Sequence, residues 1–328
     1  MRLDLIREVG HEMSKAEAFA EADIVFADGE RSVRQGLRQV LIDQGYRSLR
    51  DYGTLEIVEE EIERTLPDLI VMDAMMDGGE AMALASRIRA GELGINPFVG
   101  IIITVWQPSE AVIRRVVSCG ADDILVKPLS PKKLMDRINV VAYKRKPFVV
   151  TSSYIGPDRR TKLEKEREGQ KIPSIDVPNT LEAKARGRPL SMEALKEMIG
   201  EAMFEINEQR LKRHSYQIAF LVGEILPAFK ANCVDDAAKK SIIRLSEVAN
   251  EIGFRLKNSS FEHVSNMCQN LIQVTTAIRK DLRHPSSKDL DLLKPLSDAI
   301  LIGFNPDRNA AAMAGEIGTM LDKFGTNR

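Results

Sequence analysis

The sequence is poor in cysteine, carries almost no net charge and has no long apolar run, and each absence excludes a class of protein. The three cysteines are an odd number and lie far apart among 328 residues, so they predict neither a disulfide framework nor a metal site. The formal net charge of −1 gives no general attraction to nucleic acid or to an anionic membrane. The longest apolar run, residues 98–106, is far too short to span a bilayer.

The N-terminal segment MRLDLIREVGHEMSK also lacks the pattern of a secretory signal peptide, because it contains acids and no long apolar stretch. Residues 1–21 are predicted to form a leading amphipathic helix. Together with cysteines that read as reduced thiols, these features predict a soluble cytoplasmic protein that has no contact with a membrane.

Between about residues 22 and 147, short apolar runs alternate with stretches of helical spacing. Five of these runs are strand candidates, and they are residues 23–27, 46–51, 69–73, 99–104 and 123–126. Between them, apolar residues recur at steps of three and four. This alternation predicts an α/β fold in which a parallel sheet is covered by helices on both faces. The near-continuous apolar character of the strands fits such a doubly covered sheet.

The pattern changes after residue 147. Residues 148–189 are rich in charge, contain proline and glycine, and show no sustained periodicity, which is typical of a linker. This linker is predicted to be partly extended, and the stretch PFVV is its candidate docking segment, with a solvated tether as the alternative. From residue 190 to residue 328 the spacing is helical, with Ser191 as an N-cap and a capping box at residues 259–262. The second half is therefore predicted to be a separate all-α helical bundle, with its last two helices starting near Ser287 and Asp307.

Polar residues stand at the ends of four predicted strands, and they are Asp28, Asp73, Thr104 and Lys127. The carboxyl ends of parallel strands meet at one edge of an open sheet, where ligands bind. Carboxylates gathered there repel each other unless a cation joins them, and hard cations such as Mg²⁺ take oxygen ligands. The sequence thus predicts a magnesium site at which Asp73 acts as a nucleophile towards a phosphoryl group.

Residues 22–147 resemble the receiver domain of bacterial two-component response regulators in the order and spacing of their motifs. The matching stretches are IVFADGERSVRQGL, PDLIVMDAMMDGG, IIITV and GADDILVKPLSPKKL. The resemblance implies a flavodoxin-like fold with a five-stranded parallel sheet. It also implies that a histidine kinase or a phosphotransfer protein phosphorylates Asp73 while Mg²⁺ is bound.

The same resemblance implies a role for each residue of the site. Thr104 corresponds to the switch hydroxyl, and Lys127 corresponds to the lysine that contacts the phosphoryl group. The implied metal ligands are Asp28, Asp73 and the backbone carbonyl of Met75. The Lys127–Pro128 peptide bond is expected to be cis.

The sequence departs from the family at three positions. Gly29 stands where the family has a second acid that binds the metal directly, so Mg²⁺ binding is expected to be weaker, with Glu30 as the candidate substitute. Asp77 replaces a proline that usually follows the phosphorylated aspartate. Ile124 replaces the aromatic switch residue of the fifth strand, which an isoleucine does not reproduce.

The helical half has no motif that identifies its function. It lacks a short helix pair with a basic recognition helix, so DNA binding is the less favoured alternative. A phosphotransfer bundle would need an exposed histidine, and His214 and His263 are the candidates, although neither is followed by the family's H-x-x-K-G pattern. We therefore predict a response regulator, homodimeric and not an enzyme apart from its own phosphorylation chemistry, whose bundle contacts an unidentified protein.

Overall fold

The computed structural model describes residues 19–76, 79–160, 173–231, 234–257, 259–282 and 284–306. Within the whole chain, two compact units separate. The first comprises Met1–Val150 and Tyr154–Ala202, and the second comprises Thr151–Ser153 and Met203–Arg328. The helix predicted from Asp307, residue 77 and almost all of the predicted leading helix lie outside the described residues.

The first unit alternates strands and helices along the chain. In chain order its elements are β1 (Asp23–Ala27), α1 (Arg31–Asp43), β2 (Ser48–Tyr52), α2 (Leu55–Arg64), β3 (Leu69–Asp73), β4 (Met75–Met76), β5 (Gly79–Glu80), α3 (Ala81–Arg89), β6 (Gly100–Val105), α4 (Glu110–Ser118), β7 (Asp123–Val126), α5 (Pro131–Tyr143), β8 (Phe148–Val150), β9 (Ile155–Pro157) and α6 (Thr180–Ala185). The alternation predicted from the sequence is confirmed.

Five strands form one parallel sheet in the order β2-β1-β3-β6-β7. Helices cover both faces, since successive residues of β3 enter opposite cores. Ile70 packs with α2 and α3, whereas Val71 packs with α1 and α5. The expected fold is thus confirmed, and the weakest strand candidate, at residues 46–51, is the edge strand β2.

The described part of residues 148–189 packs within the first unit except for Thr151–Ser153, so Phe148–Val150 of the predicted docking stretch PFVV are buried and the packing extends well beyond them. Strands β8 and β9 pair antiparallel, and every residue of both is buried. Helix α6 buries Leu181 and Ala185 among the residues of the α1–α5 core, and Lys184 Nζ lies 2.7 Å from Asp68 Oδ2. These contacts explain why Tyr154–Ala202 belong to the first unit.

A buried ion cluster on the first unit packs against Phe148, which begins this segment. Asp122 accepts from Arg89 Nη2 at 2.9 Å and from Arg145 Nε at 2.7 Å. Both guanidinium groups lie over the ring of Phe148, with distances of 5.3 and 4.9 Å from their carbons to the ring centroid. The charges are paired and stacked on an aromatic face, which offsets the cost of removing them from water.

Helices dominate the second unit, and the first of them begins in the first unit. They are α7 (Met192–Lys230), α8 (Asp236–Arg255), a 3₁₀ turn (Glu262–Val264), α9 (Ser265–Lys280) and α10 (Ser287–Phe304). Their buried faces share one apolar core. None of the helices within the described ranges is long and apolar enough to cross a membrane.

The predicted helix boundaries hold in part. Ser191 Oγ accepts from Ala194 N at 3.1 Å, so the N-cap is confirmed. The capping box at residues 259–262 is wrong as a helix start, because Ser259 Oγ accepts from Phe261 N instead and α9 begins only at Ser265. Helix α10 continues through Gly303 to Phe304. Gly303 lies so close to Val264 that a Cβ on the glycine would be 2.9 Å from a Val264 methyl carbon.

Substituting Gly120 with alanine tests the packing of β9 on the first unit. Gly120 has φ +80°, and a Cβ there would lie 2.3 Å from Ile155 O. Strain and overpacking should destabilise this unit by about 2 kcal/mol or more. Urea unfolding followed by the fluorescence of Trp106, the only tryptophan, measures the change.

Gly36→Ala is the matched control. Gly36 lies in α1, and a Cβ there would meet no atom within 4 Å, so alanine should stabilise the unit by roughly 0.5–1 kcal/mol. Equal unfolding midpoints for Gly120→Ala and the unsubstituted protein would contradict the observed packing.

Candidate functional site

Three side chains from different strand ends meet at the carboxyl edge of the sheet. Asp28 follows β1, Asp73 ends β3 and Lys127 follows β7. Lys127 Nζ donates to Asp28 Oδ2 at 2.6 Å and also to Asp73 Oδ2. All three residues are buried. One ammonium group therefore joins two carboxylates that are 45 positions apart in the chain.

Each carboxylate has a second partner on the backbone. Asp28 Oδ1 accepts from the amide of Glu30 at 2.9 Å, and Asp73 Oδ1 accepts from the amide of Met75 at 2.9 Å. In both cases the donor lies two residues further along the chain. Two formal negative charges and one positive charge leave the site with a net charge of −1, so it favours a further cation.

The two carboxylates determine the protonation of Lys127. Burial alone would lower the pKa of its ammonium group, but hydrogen bonds to Asp28 and Asp73 outweigh burial and raise the pKa above 10.5. The stabilisation that results is complete below the unfolded-state pKa and is lost only as the pH rises through the folded-state pKa. Lys127 is therefore a cation at neutral pH.

The other predicted site residues lie nearby but contact different groups. Thr104 pairs with Asp73 in the β3–β6 register and is buried, yet its hydroxyl lies 3.5 Å from the carbonyl of Met72. Glu30 is exposed and contributes its amide, as described above, and the amide of Met75 likewise contacts Asp73. The Lys127–Pro128 bond is cis, as predicted.

An open cleft of about 440 Å³ leads to the buried pair of acids. Met75 and Trp106, which are 68% and 53% exposed, stand at its mouth. Lys127 Nζ lies 5.3 Å from the centroid of the Trp106 ring, at the distance of a cation–π contact. The sequence reasoning missed Trp106, although a lone tryptophan directly after a predicted strand was a usable signal.

The oxygen atoms of the site suit Mg²⁺, but they come from fewer side chains than the receiver family usually provides. Nowhere in the described ranges do three or more histidine, cysteine, aspartate or glutamate side chains form a group that could hold a metal ion. Gly29 contributes no carboxylate. Asp28 and Asp73 nevertheless keep unused lone pairs, and Mg²⁺ is commonly held by one or two carboxylates together with water and phosphate oxygens. The two acids therefore fit this ion.

The family model of the response regulator receiver domain matches residues 24–139. Residues 24–139 are a response regulator receiver domain. The match covers the five strands of the parallel sheet, apart from the first residue of β1, together with the two acids and the lysine. A receiver domain is a signalling domain of two-component systems and not an enzyme of the usual kind. The match ends at residue 139 and assigns no role to the helical second unit.

Curated proteins similar to this chain include transcriptional regulators. The phosphate regulon transcriptional regulatory protein PhoB of Pseudomonas aeruginosa is 30% identical over 124 residues, which cover 38% of this chain and 53% of that protein. The transcriptional regulatory protein YvrH of Bacillus subtilis is 31% identical over 117 residues, which cover 36% and 47%. The chain thus spans about half the length of the curated relatives that it matches.

Solved structures similar to this chain include a chemotaxis protein and a second response regulator. Chemotaxis protein CheY4 of Vibrio cholerae is 21% identical, with 36% of this chain and 96% of that chain covered and a TM-score of 0.33. A putative response regulator of Chloroflexus aurantiacus is 24% identical, with 36% and 94% covered and a TM-score of 0.34.

The candidate phosphotransfer histidines of the second unit differ in exposure. His214 is fully buried in α7, with Nε2 3.3 Å from Glu251 Oε1 on α8. This contact is the main cause that lowers the pKa of Glu251 to about 2, and Arg255 adds to it. His263 is exposed in the 3₁₀ turn. A histidine that exchanges phosphate must meet a partner protein, so the burial of His214 disfavours that role.

Glu251→Gln tests the His214 contact through the acid stability of the second unit. The folded-state pKa of Glu251 is below its ordinary value of 4.5, so its stabilisation is complete above about pH 4.5 and is lost as the pH falls towards 2. The variant should be less stable at pH 6 and should show a weaker loss of stability between pH 4.5 and 2. Urea unfolding followed by helical circular dichroism measures both changes.

Glu247→Gln serves as the control, since Glu247 lies on the same helix and its side chain is 55% exposed. It should keep the acid dependence of the unsubstituted protein. Identical pH profiles for the two variants would show that the His214–Glu251 contact does not contribute to the acid dependence of the free energy of unfolding.

Proposed function

We propose that this chain is a cytoplasmic response regulator that is phosphorylated on Asp73 and signals through its helical second unit. The observation that supports this proposal most strongly is the buried arrangement of Asp28, Asp73 and Lys127 within a receiver domain. The domain boundaries expected from the sequence are 22–147 and 190–328, whereas the first compact unit also takes in Tyr154–Ala202.

The chemistry is a transfer of a phosphoryl group to a carboxylate. An oxygen of Asp73 attacks the phosphorus of a phosphohistidine on a kinase or phosphotransfer protein. A P–O bond forms, the P–N bond breaks, and the departing imidazole takes up a proton. Lys127 then exchanges its contact with the carboxylate for one with a phosphoryl oxygen, since its ammonium group is already adjacent.

Asp28, Asp73 and the backbone carbonyl of Met75 would hold Mg²⁺ in this reaction. When bound there, Mg²⁺ would supply positive charge that neutralises the transferred phosphoryl group. With Gly29 in place of a second acid, the protein contributes two carboxylates, and Glu30 at the edge of the cleft is the nearest further acid along the loop.

Phosphorylation adds negative charge and acceptor oxygens at the sheet edge. Thr104 and Lys127 respond first because they lie at the ends of the neighbouring strands, and they bias the packing of the face formed by α4, β7 and α5. Two copies pair through this change, and the helical unit contacts its target protein.

A second candidate is a DNA-binding transcriptional regulator, which the names of the curated relatives favour. The two possibilities differ in the behaviour of the phosphorylated chain towards duplex DNA. Binding that weakens steeply with salt would support a regulator of transcription, and its absence at low salt would leave the protein-contact function.

Asp73→Asn tests the phosphorylation site directly. The amide cannot form the acyl phosphate, so the variant should gain no phosphoryl mass from acetyl phosphate and Mg²⁺, whereas the unsubstituted protein should gain one. Asp123→Asn is the control, because Asp123 lies at the start of β7, at the opposite end from Lys127. Equal labelling of Asp73→Asn and the unsubstituted protein would contradict the assignment of Asp73 as the phosphorylated residue.

Gly29→Asp tests whether the missing acid limits metal binding. A Cβ at this position meets no atom within 4 Å, so the side chain fits. A third carboxylate should lower the Mg²⁺ concentration at half-saturation by roughly tenfold, as followed by Trp106 fluorescence.

Gly29→Asn adds the same bulk without charge and should change the half-saturation value little. If the aspartate variant binds Mg²⁺ no more tightly than the asparagine variant, Gly29 is not the reason for any weakness of the site.

A further inference from the structure

We propose that Arg34 is a positioning residue that fixes the loop from Asp28 to Glu30 and thereby presents the Asp28 carboxylate to Mg²⁺. This inference rests on the proposed phosphorylation function of the site. It adds a residue that the resemblance, the family match and the acid–lysine geometry all leave without a role.

The Arg34 side chain binds two successive carbonyl groups of this loop. Its Nη1 donates to Asp28 O at 2.6 Å and, at a longer 3.3 Å, to Gly29 O. The bond from the Arg34 backbone amide to Glu30 O is the first hydrogen bond of α1 and does not depend on the side chain. One side chain in the first turn of α1 therefore orients the two peptide carbonyls that follow β1.

The other contacts of Asp28 make its side-chain position depend on this loop. The backbone amide of Asp28 donates to Tyr52 O at 3.2 Å, which fixes the residue on the β2 side. Its Oδ1 accepts from the amide of Glu30, two residues along the same loop. Rotation of the peptide groups around Gly29 would move the Glu30 amide and break the hydrogen bond that holds the carboxylate.

The loop needs an external anchor for two reasons. Glycine has more conformational freedom than any other residue, and Gly29 stands in the middle of the loop with open space where a Cβ would be. Glu30 occupies the N-cap position of α1 but makes no side-chain capping bond. Hydrogen bonds from the guanidinium group restrict the loop conformation, as a residue larger than glycine and a side-chain cap would otherwise do.

Asp51 holds the guanidinium group in place. Arg34 Nε donates to Asp51 Oδ2 at 3.2 Å, and the arginine side chain is only 15% exposed. A charged donor that is partly buried and paired makes stronger and more rigid hydrogen bonds than a mobile surface arginine.

Arg34→Ala in the full-length protein tests the positioning role with three readouts. In metal-free protein, amide hydrogen exchange at Glu30 should accelerate because the Asp28 contact loosens. The Mg²⁺ concentration at half-saturation, read by Trp106 fluorescence, should rise roughly tenfold or more. At saturating Mg²⁺, the extent of phosphorylation by acetyl phosphate should return close to that of the unsubstituted protein.

Arg38→Ala is the matched control. Arg38 also pairs with Asp51, at 3.5 Å, and donates to Leu49 O, and neither contact involves the loop from Asp28 to Glu30. It should change neither Glu30 exchange nor Mg²⁺ half-saturation. Arg34→Lys keeps the charge without the fork of donors and should fall between the two alanine variants, which keeps the test valid if Arg34→Ala folds poorly.

The outcomes separate this inference from the proposed function. Arg34 variants that match Arg38→Ala in both Glu30 exchange and Mg²⁺ half-saturation would overturn the positioning role. If the unsubstituted protein is never phosphorylated but Arg34→Ala still loosens Glu30, the phosphorylation proposal fails while the anchoring of the loop stands.

Discussion

The contact of one ammonium group with two buried carboxylates is the interaction on which the candidate site depends. Lys127 neutralises part of the charge that Asp28 and Asp73 bring to the edge of the sheet. Loss of one partner from a buried ion pair costs about 3–5 kcal/mol, because the remaining charge is left unpaired. The site is thus stable without a ligand and still carries a net negative charge that favours Mg²⁺, so one arrangement serves both folding and chemistry.

Much of the fold and the centre of the site follow from the sequence because they depend on strand patterning and topology. Apolar runs define the strands, and a parallel sheet necessarily brings residues 28, 73 and 127 to one edge. The direction of the Thr104 hydroxyl, the position of Trp106 over Lys127 and the reach of Arg34 could not be derived in this way. Each depends on a side-chain rotamer and on partners that are remote in the sequence.

The position of the segment after residue 147 could not be derived fully from the sequence either, because it depends on packing against distant residues. The charge density of this segment is typical of a solvated linker, yet Phe148 is buried beneath the guanidinium groups of Arg89 and Arg145, both of which pair with Asp122. The ion cluster lies at the residues that directly precede β6 and β7, Val99 and Asp122, whereas the acid pair lies at the carboxyl ends of the strands. Helix α5 connects the two, since it begins shortly after Lys127 and its last carbonyls accept from Asn179.

The most direct test of the account is to locate the phosphoryl group on the full-length protein. After incubation with acetyl phosphate and Mg²⁺, reduction with borohydride converts an aspartyl phosphate to homoserine, and peptide mass spectrometry identifies the modified residue. The account predicts modification of Asp73 alone. Modification of a different acid, or stable phosphate on a histidine of the helical unit, would contradict it.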